Sequence, residues 1–187
     1  MLAGLLGGCA TCSAPPSLPL SGPPVDPAAD LAPDLVDLAR FDPRLRFDIR
    51  YATSANFMGR VLYPVARALA QRPVAAALAR VQSRAEAHGY GLLIFDAYRP
   101  WRITRAMWEA TPPEKREFVA DPAVGSRHNR GASIDLTLHR NGVEVAMPSA
   151  YDDFTPAAYR SAGREPDARE LDGGRGLRAA RQRMVAL

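Results

Sequence analysis

A histidine and an aspartate stand seven residues apart in the string Ser126-Arg127-His128-Asn129-Arg130-Gly131-Ala132-Ser133-Ile134-Asp135. A neutral imidazole and a carboxylate form a donor pair suited to a borderline cation such as Zn2+. Cys9 and Cys12 are the chain's two cysteines and both lie near its start, so the later, foldable part has neither a disulfide nor a thiolate ligand. Any metal there must be held by His, Asp or Glu. Gly131 allows a tight turn before the strand, and small Ala132 and Ser133 leave space beside it. Alternation then places Asp135, Thr137 and His139 on one face and Ile134, Leu136 and Leu138 on the core face. On spacing alone the pair is weak evidence, and a loop histidine beside a strand carboxylate is the better reading of it.

Several elements must position this pair. Leu45, Phe47, Ile49 and Tyr51 alternate with charged residues, the period of a half-buried strand. Pro73 opens a helix that runs to His88, with Val74, Leu78 and Val81 on one face and Gly89 as its stop. Leu92 to Phe95 is a short buried strand ending at Asp96-Ala97-Tyr98-Arg99-Pro100. A second helix carries Ile103, Met107 and Trp108, and a third, short one spans Glu114 to Ala120. Ala132 to His139 reads as a strand, Asn141-Gly142 as a two-residue hairpin turn, and Val143 to Val145 as the returning strand. Helices and strands in irregular order predict an α+β fold with a mostly antiparallel sheet.

The complete strings carry more than the pair. Ser-x-His-x-x-Gly-x-x-x-Asp followed by Leu-Thr-Leu resembles the D-alanyl-D-alanine dipeptidases, zinc metallopeptidases related to the D,D-carboxypeptidases. Arg50-Tyr51-Ala52-Thr53 with Asn56-Phe57 and Gly59 is similar to that family's early strand and loop. Phe95 to Pro100 is similar to its arginine motif, and Met147-Pro148-Ser149 with Tyr151 to Phe154 to the segment after its hairpin. These occur in the family's order over about residues 35 to 160.

The resemblance implies hydrolysis of the dipeptide D-Ala-D-Ala in bacterial cell-wall metabolism, with Zn2+ as cofactor. It implies His128 and Asp135 as zinc ligands and Arg99 as the residue stabilising the oxyanion. Ser126 would contact substrate, and Asp152 would receive the dipeptide's ammonium group, with Asp153 an adjacent candidate. Arg99 could instead be a surface arginine paired with Asp96, and Ser126 a turn residue. The family's general base and third ligand come as Glu-x-x-His, a string this sequence does not contain. The remaining histidines do not replace it. His139 lies four strand residues from Asp135, roughly 13 Å away, and His88 sits at a helix end as a capping or surface residue. A non-catalytic homologue that binds peptidoglycan-derived peptides is therefore the alternative reading.

The composition is compatible with this. The chain has 187 residues and a net charge of +4. Its basic residues are dispersed without a Lys/Arg block, which excludes a nucleic-acid footprint. Residues 1–32 read as a leader and Pro-rich linker in which Leu6-Gly7-Gly8-Cys9 resembles a lipobox. That implies a lipid anchor at Cys9 and a place in the periplasm or cell envelope, although no Lys or Arg precedes Arg40. A cytoplasmic protein with an unfolded N-terminal tail is the alternative. Residues 33–160 form the expected domain. Residues 161–187, with six Arg and no aromatic, read as a divergent or truncated tail.

Overall fold

The computed structural model describes residues 22–24 and 32–154. The expected tail, and nearly all of the expected leader including Cys9, lie outside the described residues.

Two sheets organise the chain. In the smaller, β1 (Leu35–Asp37) pairs antiparallel with β3 (Leu69–Gln71). The larger has four strands in the order β2 (Arg46–Phe47), β4 (Gly91–Asp96), β5 (Asp135–Arg140) and β6 (Val143–Glu144). The β2–β4 pair is parallel and the β4–β5 and β5–β6 pairs are antiparallel. With α1 (Leu38–Phe41), α2 (Arg72–Glu86) and α3 (Trp101–Ala110), this is an α+β fold whose main sheet is mixed.

Helix α2 has Pro73 in its first turn and is followed by Gly89 at φ +75°, a conformation that ends helices at little cost to glycine. The imidazole of His88 donates from Nδ1 to the Arg84 carbonyl at 2.8 Å, so this histidine caps the helix. The buried stripe is Ala75, Leu78 and Gln82, with Val74 and Val81 only partly buried. It lies one residue off the Val74–Val81 line because Gln82 turns inward, accepting a hydrogen bond from the Leu92 amide at 2.9 Å. Leu92 and Ile94 of β4 are fully buried at the centre of the core.

Three expected elements are shorter than the sequence pattern suggests. The 45–51 strand contracts to Arg46–Phe47 and ends in a 3-10 turn at Arg50–Ala52. There the Tyr51 carbonyl accepts from both Leu62 and Tyr63, which draws the chain off the sheet. Leu45, Ile49 and Tyr51 are nevertheless buried as the alternation requires. The expected helix after Pro112-Pro113 is a 3-10 segment, Pro113–Phe118, with no buried residue to anchor a longer one. The 132–139 strand begins only at Asp135, because the preceding turn is tied to β3 instead: the Gly131 carbonyl accepts from Gln71 at 2.9 Å. The Asn141-Gly142 turn forms as expected, with φ of +53° and +84° as a two-residue hairpin of this kind requires.

Candidate metal centre

The C-terminal end of β4 and the start of β5 meet at one point. A bulge between Ile94 and Asp96 sets Asp96 directly opposite Asp135. Two carboxylates facing each other would repel. Arg99 stands between them: its Nε and Nη2 donate to Asp96 Oδ2 at 2.9 and 2.7 Å, and Nη2 lies 3.6 Å from Asp135 Oδ2. Arg99 is thus paired with Asp96, but it is buried rather than on the surface.

His128 arrives from the loop before β5. It opens a 3-10 turn, His128–Arg130, whose end at Gly131 has φ +65°. A side chain at position 131 would also lie 2.5 Å from Leu35, so the turn requires glycine twice over. Ser126 Oγ accepts from the His128 amide at 3.2 Å, and the Ser126 amide donates to Asn129 Oδ1 at 2.8 Å. Asn129 in turn donates to the Arg99 carbonyl and to Thr104 Oγ1. The His128 loop and the Arg99 segment are therefore locked together by side-chain bonds as well as by the Arg99 amide, which donates to the His128 carbonyl at 3.0 Å.

The imidazole tautomer follows from its neighbours. Nδ1 lies 2.7 Å from the Ala97 carbonyl, which can only accept, so Nδ1 carries the proton. Nε2 is left to face Asp135 Oδ1 at 3.4 Å. This is the arrangement of a metal-binding histidine, with one nitrogen oriented by a carbonyl and the other paired with a second donor. Burial works to lower the His128 pKa, but the Asp135 charge and hydrogen bond outweigh it, and the net shift is upward. For Asp135 burial acts to raise the pKa, while His128 and Arg99 pull it below the ordinary carboxylate value. The Tyr151 hydroxyl donates to Asp135 Oδ2 at 3.3 Å.

Asp96, His128 and Asp135 bring one donor atom each within 4.8 Å of one another. Asp96 is nonetheless a poor third ligand. Its Oδ2 is taken by Arg99 and its Oδ1 accepts from the Tyr63 hydroxyl at 2.8 Å. It also lies at the Nδ1 edge of the imidazole, 3.6 Å away, where the nitrogen is already committed to Ala97. Asp96 orients; His128 Nε2 and Asp135 are the pair that can hold a metal, and a nitrogen–oxygen set of this kind fits zinc.

The other expected residues distribute as follows. Asp152 adopts φ +57° and accepts from the Tyr51 hydroxyl at 3.0 Å. The Tyr51 ring lies 5.0 Å from the Arg99 guanidinium, so Asp152 is one side chain removed from the arginine. Burial raises the Asp152 carboxyl, against the Tyr51 hydrogen bond, to about 6. Burial also raises the phenols of Tyr51, Tyr63 and Tyr151, so all three act as neutral donors. His139 pairs with Gly91 at the opposite end of the β4–β5 ladder, its ring packed on that glycine, and takes no part in the centre. Thr137, expected on an open face, is buried.

Sequence reasoning did not single out Asp96, Tyr51, Tyr63 or Tyr151 as site residues. Asp96 had a visible signal, an acid three residues before an arginine at a strand end. The tyrosines had none beyond lying near motif residues.

The chain matches the profile of a family described as D-ala-D-ala dipeptidase over residues 32–171. It is also similar to curated proteins named D-alanyl-D-alanine dipeptidase. That of Escherichia coli K12 is 39% identical over 122 residues, covering 65% of this chain and 62% of the relative. The Streptomyces coelicolor protein is 34% identical over 144 residues, covering 66% and 71%, and the Enterococcus faecalis V583 protein 35% over 138 residues, covering 63% and 68%.

Proposed function

The chain belongs to the D-ala-D-ala dipeptidase family of peptidases, and from that premise we propose that residues 32–154 supply the metal pair and the arginine of a zinc-dependent dipeptidase acting on D-Ala-D-Ala in cell-wall metabolism. One observation supports this most: His128 Nε2, Asp135 and the Arg99 guanidinium converge within 3.6 Å contacts at one end of the main sheet.

In this reading His128 and Asp135 hold the zinc. A bound zinc supplies a Lewis acid for the scissile carbonyl and lowers the pKa of a water molecule. Arg99, held in place by Asp96, presents a fixed cation where negative charge develops on the carbonyl oxygen. Asp152 receives the substrate's ammonium, and Ser126 shapes the loop beside the scissile bond. A positioned base must still take a proton from water and pass it to the leaving amine. The family's Glu-x-x-His supplies that base, and the 187 residues contain no such string. We further propose, from Leu6-Gly7-Gly8-Cys9, that the chain is anchored to the cell envelope by a lipid on Cys9. A lipid-sized mass increment lost in Cys9→Ala is the check.

The test of the catalytic reading is D-alanine release from D-Ala-D-Ala with added zinc. The chain alone should release none measurable, since losing a general base forfeits about 10² to 10⁴ in rate. A chimera carrying a family Glu-x-x-His segment after residue 160 should turn over, and His128→Ala should abolish it. A folded, zinc-loaded chimera that binds the dipeptide without cleaving it would favour the non-catalytic alternative.

A further inference from the structure

The two oxygens of the Asp135 carboxylate have different neighbours. Oδ1 faces His128 Nε2 at 3.4 Å. Two donors each about 2.0–2.2 Å from a tetrahedral zinc stand roughly 3.3–3.5 Å apart, so Nε2 and Oδ1 already have the separation of a ligand pair. Oδ2 accepts from the Tyr151 hydroxyl at 3.3 Å and lies 3.6 Å from Arg99 Nη2. A carboxylate that swung about its own axis would exchange the two oxygens or offer both at once. What holds Oδ2 therefore decides which atom meets the metal.

The two neighbours of Oδ2 are not equivalent. Arg99 is drawn to Asp96 by shorter bonds of 2.9 and 2.7 Å, and in the proposed reaction its cation serves the developing oxyanion. Tyr151 is held independently of that chemistry. Its ring centre lies 4.9 Å from that of Phe95 and 5.9 Å from that of Tyr51, with the Arg50 guanidinium 5.5 Å away. Arg50 is itself tied to Asp48 and Glu144. The residue after Tyr151, Asp152, is pinned by the Tyr51 hydroxyl and, at 3.5 Å, by the Phe57 amide.

We propose that Tyr151 is a positioning residue for the metal centre: its hydroxyl holds Oδ2, so that Asp135 meets the cation through Oδ1 alone, beside His128 Nε2. The inference rests on the reading of His128 and Asp135 as the metal pair. A hydrogen bond to the oxygen that does not ligate keeps the carboxylate from rotating, and losing such an outer partner typically costs about 10- to 100-fold in metal affinity. Here the bond is long and Arg99 stays beside the same oxygen, which puts the effect at the low end, about tenfold.

Tyr151→Phe removes the hydroxyl and keeps the ring. Zinc affinity of the full chain is measured by competition with a weak chromophoric chelator, with urea unfolding of the zinc-free protein alongside. Thr111→Val is the control for stability, since it deletes a buried hydroxyl that donates to the Met107 carbonyl at 2.7 Å, at the C-terminal end of α3. Tyr151→Phe should bind zinc about tenfold more weakly than the wild type, and Thr111→Val as tightly as the wild type although less stable. Infrared difference spectra between zinc-loaded and zinc-free wild type should show the wide carboxylate splitting of one-oxygen binding. Unchanged affinity in Tyr151→Phe, an equal loss in Thr111→Val, or a two-oxygen splitting in the wild type overturns the proposal. His128→Ala reports on the metal pair separately. If it weakens zinc binding while Tyr151→Phe does not, the pair stands and the proposal falls. If His128→Ala changes nothing, or the wild type takes up no zinc, both fall together.

Discussion

Replacing Asp152 by asparagine removes one charge and little else. Asparagine tolerates the left-handed backbone at this position, φ +57°, and its carbonyl can still accept from the Tyr51 hydroxyl. Burial raises the Asp152 carboxyl from the ordinary 3.8 to about 6. A folded-state pKa above the unfolded value means that the folded protein holds this proton more firmly. The stability it contributes is complete below the unfolded value, near pH 4, and is lost as the pH rises through about 6. The interval from 3.8 to about 6 corresponds to a ceiling of roughly 3 kcal/mol. Screening at a partly exposed side chain brings this to about 1–2 kcal/mol.

The asparagine variant carries no such cost. It should match the wild type near pH 4 and exceed it by about 1–2 kcal/mol at pH 7. Urea unfolding across pH 4 to 7.5, followed by fluorescence of Trp101 and Trp108, measures the difference directly. A difference that does not change with pH, or a wild type more stable than the variant at pH 7, would contradict this account. The same cost has a functional side. A carboxylate that ionises reluctantly in the free protein is stabilised by an arriving ammonium, so dipeptide binding at pH 6 should release a proton in the wild type and none in Asp152→Asn.

Zinc held by His128 and Asp135 alone should bind at least about a hundredfold more weakly than in a three-ligand site; chelator competition that shows tight, stoichiometric zinc unaffected by His128→Ala would contradict the assignment. Because Asp135 raises the His128 pKa, protons compete from above the ordinary imidazole value, and zinc affinity should begin to fall at a higher pH than for a free histidine. Arg99→Ala strands Asp96, 1% exposed, opposite Asp135, and should cost about 3–5 kcal/mol in unfolding experiments; in a chimera with turnover it should also lower kcat by about 10² to 10³ with less effect on KM. Gly131→Ala meets both a left-handed backbone and Leu35 at 2.5 Å, and should lower stability by about 1–3 kcal/mol.

Elements whose signals are local can be read from the sequence. The Asn141-Gly142 turn, helix α2 between Pro73 and Gly89, and the buried run of β4 each depend on residues within a few positions. The loop bearing His128 and Asp135 is readable for the same reason. What escapes is set by partners far along the chain. The β1–β3 pair joins residues more than thirty positions apart and buries too little alternating surface to show a period. Strand β5 starts late because of Gln71, sixty positions upstream of the Gly131 carbonyl that its amide reaches. Tyr63 meets Asp96 across 33 positions, and no spacing rule links a phenol to a buried acid.

The centre also shows why its arginine can be read in two ways at once. Pairing with Asp96 and serving the site are usually alternatives, one structural and one chemical. Here the bulge in β4 makes the two compatible. By placing Asp96 opposite Asp135 it creates a paired carboxylate that must be bridged, and Arg99 does so through an Nη2 at 2.7 Å from one acid and 3.6 Å from the other. The shorter contact, with Tyr63 on the far oxygen, fixes the guanidinium. The longer one is the weaker bond, and it points at the carboxylate that a metal would share with His128. In the reading proposed above, a cation held by His128 and Asp135 would neutralise Asp135, and that edge of Arg99 would then be open to a developing oxyanion. The burial of Arg99 and its pairing with both acids thus follow from one irregularity in one strand.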